Sequence, residues 1–91
     1  MTVKVTLARS LADAIGGEHT LQMEGSTVGE VLRDLGEIHA PLALMLWSGG
    51  ELLNPMLMVF RNRDDVRTLE GLATPVRPGD EVAVIAAADG G

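Results

Sequence analysis

The chain has 91 residues, with 13 acidic and 7 basic side chains, a formal charge of −6, no cysteine, no tyrosine, one tryptophan and one phenylalanine. That length makes a single domain, and an apolar content of 46% is ordinary for a globular chain. Without cysteine there is no disulfide framework, thiolate nucleophile, iron–sulfur site or zinc ribbon; His19 and His39 lie too far apart to suggest a metal site, and the acidic balance disfavours nucleic acid.

Val3, Val5 and Leu7 alternate with Thr2, Lys4 and Thr6, the pattern of a half-buried strand. Residues 10–17 read as a turn ending at Gly16-Gly17, and Glu18–Glu24 as a second strand completing a hairpin. A helix follows. Thr27 and Glu30 fit a capping box, and Val28, Val31, Leu32 and Leu35 form one apolar stripe, with Gly36 suited to the C-terminal end. Pro41 suits the first position of a short second helix through Leu46 or Trp47, ended by Ser48-Gly49-Gly50.

Met56–Phe60 is an apolar run of strand length, consistent with a central strand. Arg61-Asn62-Arg63-Asp64-Asp65 reads as a hairpin turn, Val66-Arg67-Thr68 as its return strand, and Leu69–Leu72 as one helical turn. Arg77-Pro78-Gly79-Asp80 fits a type II turn, leading into a last strand over Glu81–Ala87. The expected order is β-β-α-β-β-β, an α+β arrangement with one main helix across one face of a mixed sheet. The start of the chain alternates rather than running apolar. The stretches Pro41–Trp47 and Val82–Ala88 fall far short of the ~20 residues that span a bilayer. A cytoplasmic protein is therefore expected.

Three Gly-Gly pairs occur. Gly16-Gly17 and Gly49-Gly50 sit where turns are needed, but Gly90-Gly91 has nothing after it to connect. Glycine lets another protein's backbone approach closely, and residues 87–91, fully extended, reach at most ~17 Å. The chain thus divides into a folded body over residues 1–86 and a flexible tail over 87–91. That tail can thread Ala88, Asp89 and Gly90 into a partner's pocket and deliver the terminal carboxylate of Gly91.

The segments Phe60-Arg61-Asn62-Arg63-Asp64-Asp65-Val66-Arg67, Gly71-Leu72-Ala73-Thr74-Pro75, Gly79-Asp80-Glu81-Val82 and the terminal Gly90-Gly91 resemble, in order and spacing, the ubiquitin-like sulfur-carrier proteins. These include the thiamin carrier, the small subunit of molybdopterin synthase and a carrier serving cysteine biosynthesis, to which the resemblance is strongest. It implies a ubiquitin-like β-grasp fold. It also implies that an E1-like partner uses ATP to adenylate the Gly91 carboxylate, and that sulfur displaces AMP to leave a thiocarboxylate. A separate biosynthetic enzyme would then take the sulfide. On this reading the chain is a cosubstrate rather than an enzyme, binds no cofactor and no metal itself, and has no catalytic residue of its own. Two positions depart from the family pattern: Asp89 places a charge beside Gly90, and Arg61 replaces an apolar strand residue, as if β-structure ended early there.

The remaining residues offer less. His19 and His39 have no partner in sequence for acid–base work. The basic run Arg61, Arg63 and Arg67 is largely neutralised by Asp64 and Asp65 and reads as a solvated hairpin. Period 2 puts Leu57 and Val59 on one face of their strand and Met58 and Phe60 on the other. The family pattern leaves Met58 and Phe60 on the open sheet face, where they could meet an E1-like partner, a second copy or a covering loop. Two further functions use the same tail: a modifier joined through Gly91 to target lysines, and a permanent subunit completing a partner enzyme.

Overall fold

The computed structural model describes residues 2–49 and 52–86. Their elements run β1 (Val3–Leu7), α1 (Arg9–Asp13), β2 (Thr20–Met23), α2 (Val28–Ile38), α3 (Ala40–Leu46), β3 (Trp47–Ser48), β4 (Leu52–Leu53), β5 (Leu57–Arg61), β6 (Asp64–Asp65) and β7 (Glu81–Ala86), with single 3₁₀ turns at Val66–Thr68 and Gly71–Ala73. Five strands form one mixed sheet in the order β2-β1-β7-β5-β6. Its centre is the parallel pair β1 and β7, in register from Lys4 opposite Glu81 to Leu7 opposite Val84. Every other pairing is antiparallel.

The alternation in β1, β5 and β7 drives Val3, Val5, Leu7, Leu57, Val59, Val82, Val84 and Ala86 to one face of the sheet, where all are buried. Helix α2 covers that face with Val28, Val31, Leu32 and Leu35, each fully buried. Its N-terminus is closed as the sequence suggests: Thr27 Oγ1 accepts from the Glu30 N–H at 3.2 Å. The Glu30 carboxylate reaches back one residue further than in the usual box, to the Ser26 N–H at 3.2 Å.

Several local expectations are corrected. Residues 9–13 form α1 rather than part of a turn, because Leu11 and Ala12 dock into the core; a helix this short is held by tertiary burial, not by its own propensity. The second strand is shorter than Glu18–Glu24, since pairing with β1 spans only Thr20 to Met23. Helix α2 continues past Gly36 to Ile38, and Gly36 is instead the point of closest approach of α3. A Cβ there would lie 3.2 Å from Ala43 Cβ. Pro41 takes the second position of α3 rather than the first. After α3, Trp47–Ser48 pairs with Leu52–Leu53 in a small separate hairpin that the sequence did not suggest.

Around residue 61 the pattern shifts by two residues. β5 runs through Arg61, and the return strand is Asp64–Asp65, opposite Arg61 and Phe60. Asn62, at φ 56°, makes the turn, a conformation asparagine tolerates better than most residues. Val66–Thr68 becomes a 3₁₀ turn because Val66 must bury and Asp65 Oδ1 accepts the Arg67 N–H at 2.9 Å. The helical turn expected at Leu69–Leu72 falls at Gly71–Ala73. The Arg77–Asp80 turn forms as read: the Asp80 N–H donates to the Arg77 carbonyl at 2.9 Å and Gly79 takes φ 94°. No helix among the described residues is long and apolar enough to cross a membrane.

Candidate functional site

The sequence puts the reactive carboxylate on Gly91. That residue, with Ala88, Asp89 and Gly90, lies outside the described residues, as does the whole segment 87–91. The described part of the site is the strand that leads to it and the surface beside that strand. β7 is held between β1 and β5 over most of its length, but β1 stops pairing at Val84. Ile85 and Ala86 are paired only with Met58 and Leu57 of β5. The main body therefore hands the chain on from a strand end that is anchored on one side.

Among the described residues, no helix covers the sheet face opposite α2. There Met58 lies across from Ile85 and Phe60 across from Ala83, and all four are half-buried. Directly opposed residues on an antiparallel pair have Cβ atoms about 5 Å apart, so these four form one continuous apolar patch along β5 and β7. Charged groups frame it. Lys4 and Glu81 sit opposite each other at the far end, and Asp65 lies across from Phe60 at the sheet edge. Met58 and Phe60 thus stand where the sequence places them; Ala83 and Ile85 complete the patch, and the alternation of the last strand was the signal that could have named them.

The edge beside Phe60 is held electrostatically. The Arg67 guanidinium donates to both carboxylate oxygens of Asp65, through Nη2 at 2.8 Å and Nε at 3.2 Å. This hydrogen bonding, joined by the Arg67 backbone N–H, holds the Asp65 carboxyl below its ordinary value. It is the sole ion pair among the described residues. Next to Phe60, Arg61 is the last residue of β5, so the strand includes it rather than stopping before it. Its guanidinium donates to the Pro75 carbonyl at 2.9 Å. Asn62 links the hairpin to β7, donating its N–H to the Glu81 carbonyl at 2.7 Å and accepting the Glu81 N–H at 3.0 Å. Asp80 is held low by the Arg77 N–H, with Asn62 and the nearby Arg61 and Arg77 charges adding to the effect. These contacts fix the geometry of the patch; none assembles a nucleophile with a base. Among the described residues no group of three histidines and carboxylates could hold a metal ion.

The ThiS family model matches residues 5–91. The chain is 32% identical over 93 residues to the sulfur carrier protein CysO of Mycobacterium tuberculosis, each covering 100% of the other. Among solved structures, it superposes with TM-score 0.83 and 31% identity on a chain of the Amycolatopsis orientalis BexX/CysO complex, covering 92% of this chain and 93% of that one. It superposes with TM-score 0.86 and 27% identity on small archaeal modifier protein 1 of Methanosarcina acetivorans, covering 93% and 91%. The fold is the ubiquitin-like β-grasp these proteins share. These relatives are named as sulfur carriers and modifiers. The chain belongs to the ThiS family of ubiquitin-like proteins.

Proposed function

We propose that the chain is a sulfur carrier whose Gly91 carboxylate is activated by an E1-like enzyme. The carboxylate attacks the α-phosphorus of ATP, releasing pyrophosphate and leaving an acyl-adenylate. A sulfide donor then displaces AMP, giving a thiocarboxylate. A biosynthetic enzyme takes that sulfide, and the Gly91 carboxylate is regenerated with an oxygen from water. ATP is a substrate of the partner, and the carrier binds no cofactor. The reaction belongs in the cytoplasm.

The observation that carries the reading is the placement of β7. It leads toward residues 87–91 alongside the uncovered patch of Met58, Phe60, Ala83 and Ile85. One surface could dock on an activating enzyme while the tail enters its active site. The absence of cysteine agrees, since no side chain of this protein can hold sulfur as a persulfide. The end-to-end match to a sulfur carrier supports the same chemistry.

The test is intact-mass analysis after incubation with the E1-like enzyme, ATP and a sulfide source. One oxygen replaced by sulfur is expected, and deleting Gly91 should abolish the change without unfolding the domain. The similarity to an archaeal modifier favours one alternative, conjugation of Gly91 to lysines of other proteins. An unchanged carrier mass together with target proteins that gain the mass of the chain would select that alternative.

A further inference from the structure

Among the described residues, no strand pairs with the outer edge of β2. β2 is the outermost strand, and the Leu7 N–H donates to the His19 carbonyl at 2.8 Å. In an antiparallel ladder this fixes which residues bond inward, because bonded and non-bonded pairs alternate. With Val5 opposite Leu21 and Val3 opposite Met23, residues 19, 21 and 23 turn their backbone groups toward β1. Thr20 and Gln22 turn theirs outward. Such an open row of donors and acceptors is a template for one more strand.

Beside this edge runs a groove of about 420 Å³, the space between β2 and the C-terminal half of α2. Gln22, Met23 and Glu24 form one wall, and Asp34, Glu37 and Ile38 the other. Ile38 is 65% exposed, an aliphatic side chain projecting into water at the helix end. No lysine or arginine lines the groove. Arg33, the one cation on α2, instead stacks on the Trp47 ring, its guanidinium carbon 4.7 Å from the centroid. Among the described residues, the charged groups lining the groove, Glu24, Asp34 and Glu37, are all acidic, and Ile38 and Met23 are its apolar contact points.

We propose that the β2 edge and this groove bind an extended protein segment that adds as a sixth strand. The face it turns to α2 would carry Lys or Arg, an aliphatic residue, and Lys or Arg at alternate positions. Strand addition draws its affinity from the main-chain hydrogen bonds and its selectivity from alternate side chains. Here the aliphatic residue meets Ile38 and Met23, and the flanking cations meet Glu24, Asp34 and Glu37. A second copy of this chain is the less suitable occupant, because two such edges would bring two acidic grooves together on molecules of charge −6. The site lies apart from Met58 and Phe60 on β5 and is independent of the sulfur-carrier reading.

The probe is the blocked peptide Thr-Lys-Thr-Val-Thr-Lys-Thr, at low salt, with amide hydrogen exchange followed residue by residue. The Thr20 and Gln22 amides should gain protection on adding the peptide. Binding, read by anisotropy of a labelled copy, should weaken about two- to five-fold for each of Asp34→Asn and Glu37→Gln. It should disappear when alternate peptide amides are N-methylated and when Glu replaces Lys. The proposal is overturned if the Thr20 and Gln22 amides stay unprotected, or if the N-methylated or Glu peptide binds equally well. Self-association of the free chain through β2 would overturn it as well.

Discussion

On β5, Leu57 and Val59 enter the core, whereas Met58 and Phe60, each one residue away, stay half-exposed on the other face. β7 repeats the division, with Val82, Val84 and Ala86 inside and Ala83 and Ile85 outside. The two faces share one backbone ladder, so hydrogen bonding does not distinguish them. The difference is the cover: the buried side chains of α2 and α3 seal one face, and among the described residues no helix lies over the other. Apolar side chains under a helix stabilise the fold; the same kind of side chain, left uncovered in a group, marks a surface for another molecule. Alternate residues of one strand should therefore separate stability from function.

The largest effect should come from the sealed face. Leu32→Ala empties a fully buried position and should cost about 2–5 kcal/mol, read from urea unfolding at neutral pH. Gly36→Val tests the seal itself. Even the first atom of the new side chain would meet Ala43 at 3.2–3.3 Å, so α2 and α3 must move apart, at about 1–3 kcal/mol. A thermal midpoint equal to the wild type would mean that the helices do not need this close contact.

The open face should respond in the opposite sense. Phe60→Ser removes a half-buried ring opposite Ala83, a cross-strand contact worth about 1 kcal/mol or less. If the patch is the docking surface for an E1-like enzyme, pyrophosphate release with that enzyme should fall at least tenfold while folding is nearly kept. Undiminished release from a folded Phe60→Ser variant would remove the patch from the activation step.

Much of this division can be read from the chain. Alternation in Val3–Leu7 and Glu81–Ala86, the α2 stripe and the Thr27–Glu30 cap are local patterns that tertiary packing reinforces. What was hidden depends on contacts distant in sequence. Nothing local shows that Leu11 and Ala12 will be buried, so α1 was not visible. Gly36 resembles a helix stop until α3 is seen to need the space of its missing side chain. Asp64-Asp65 makes a poor strand by composition, yet the Asn62 turn sets the pairing there and Val66 turns inward. Of the candidate site, period 2 sets Met58 and Phe60 on one face and the family pattern makes that the open one, while Gly91 is named from the bare Gly90-Gly91 end and its chemistry from the family.

The smallest effect should appear where the two faces meet, at the Asp65–Arg67 pair on the sheet edge beside Phe60. Hydrogen bonds from the Arg67 side chain, and then from its backbone, lower the Asp65 pKa from the ordinary 3.8. A carboxylate with a depressed folded pKa adds stability that is fully present above its unfolded value and is lost as pH falls through the lowered one. Stability should accordingly decline below about pH 4, with Asp80, lowered chiefly by the Arg77 N–H, contributing to the same limb. Asp65→Asn keeps an acceptor for the Arg67 backbone but removes the charge, so its acid limb should be shallower than that of the wild type. Because the Arg67 side chain is 71% exposed, salt should erase most of this difference. Urea midpoints measured on either side of pH 4, at low and high salt, read both effects; acid limbs of equal slope at low salt would show that the pair orders the edge without stabilising it.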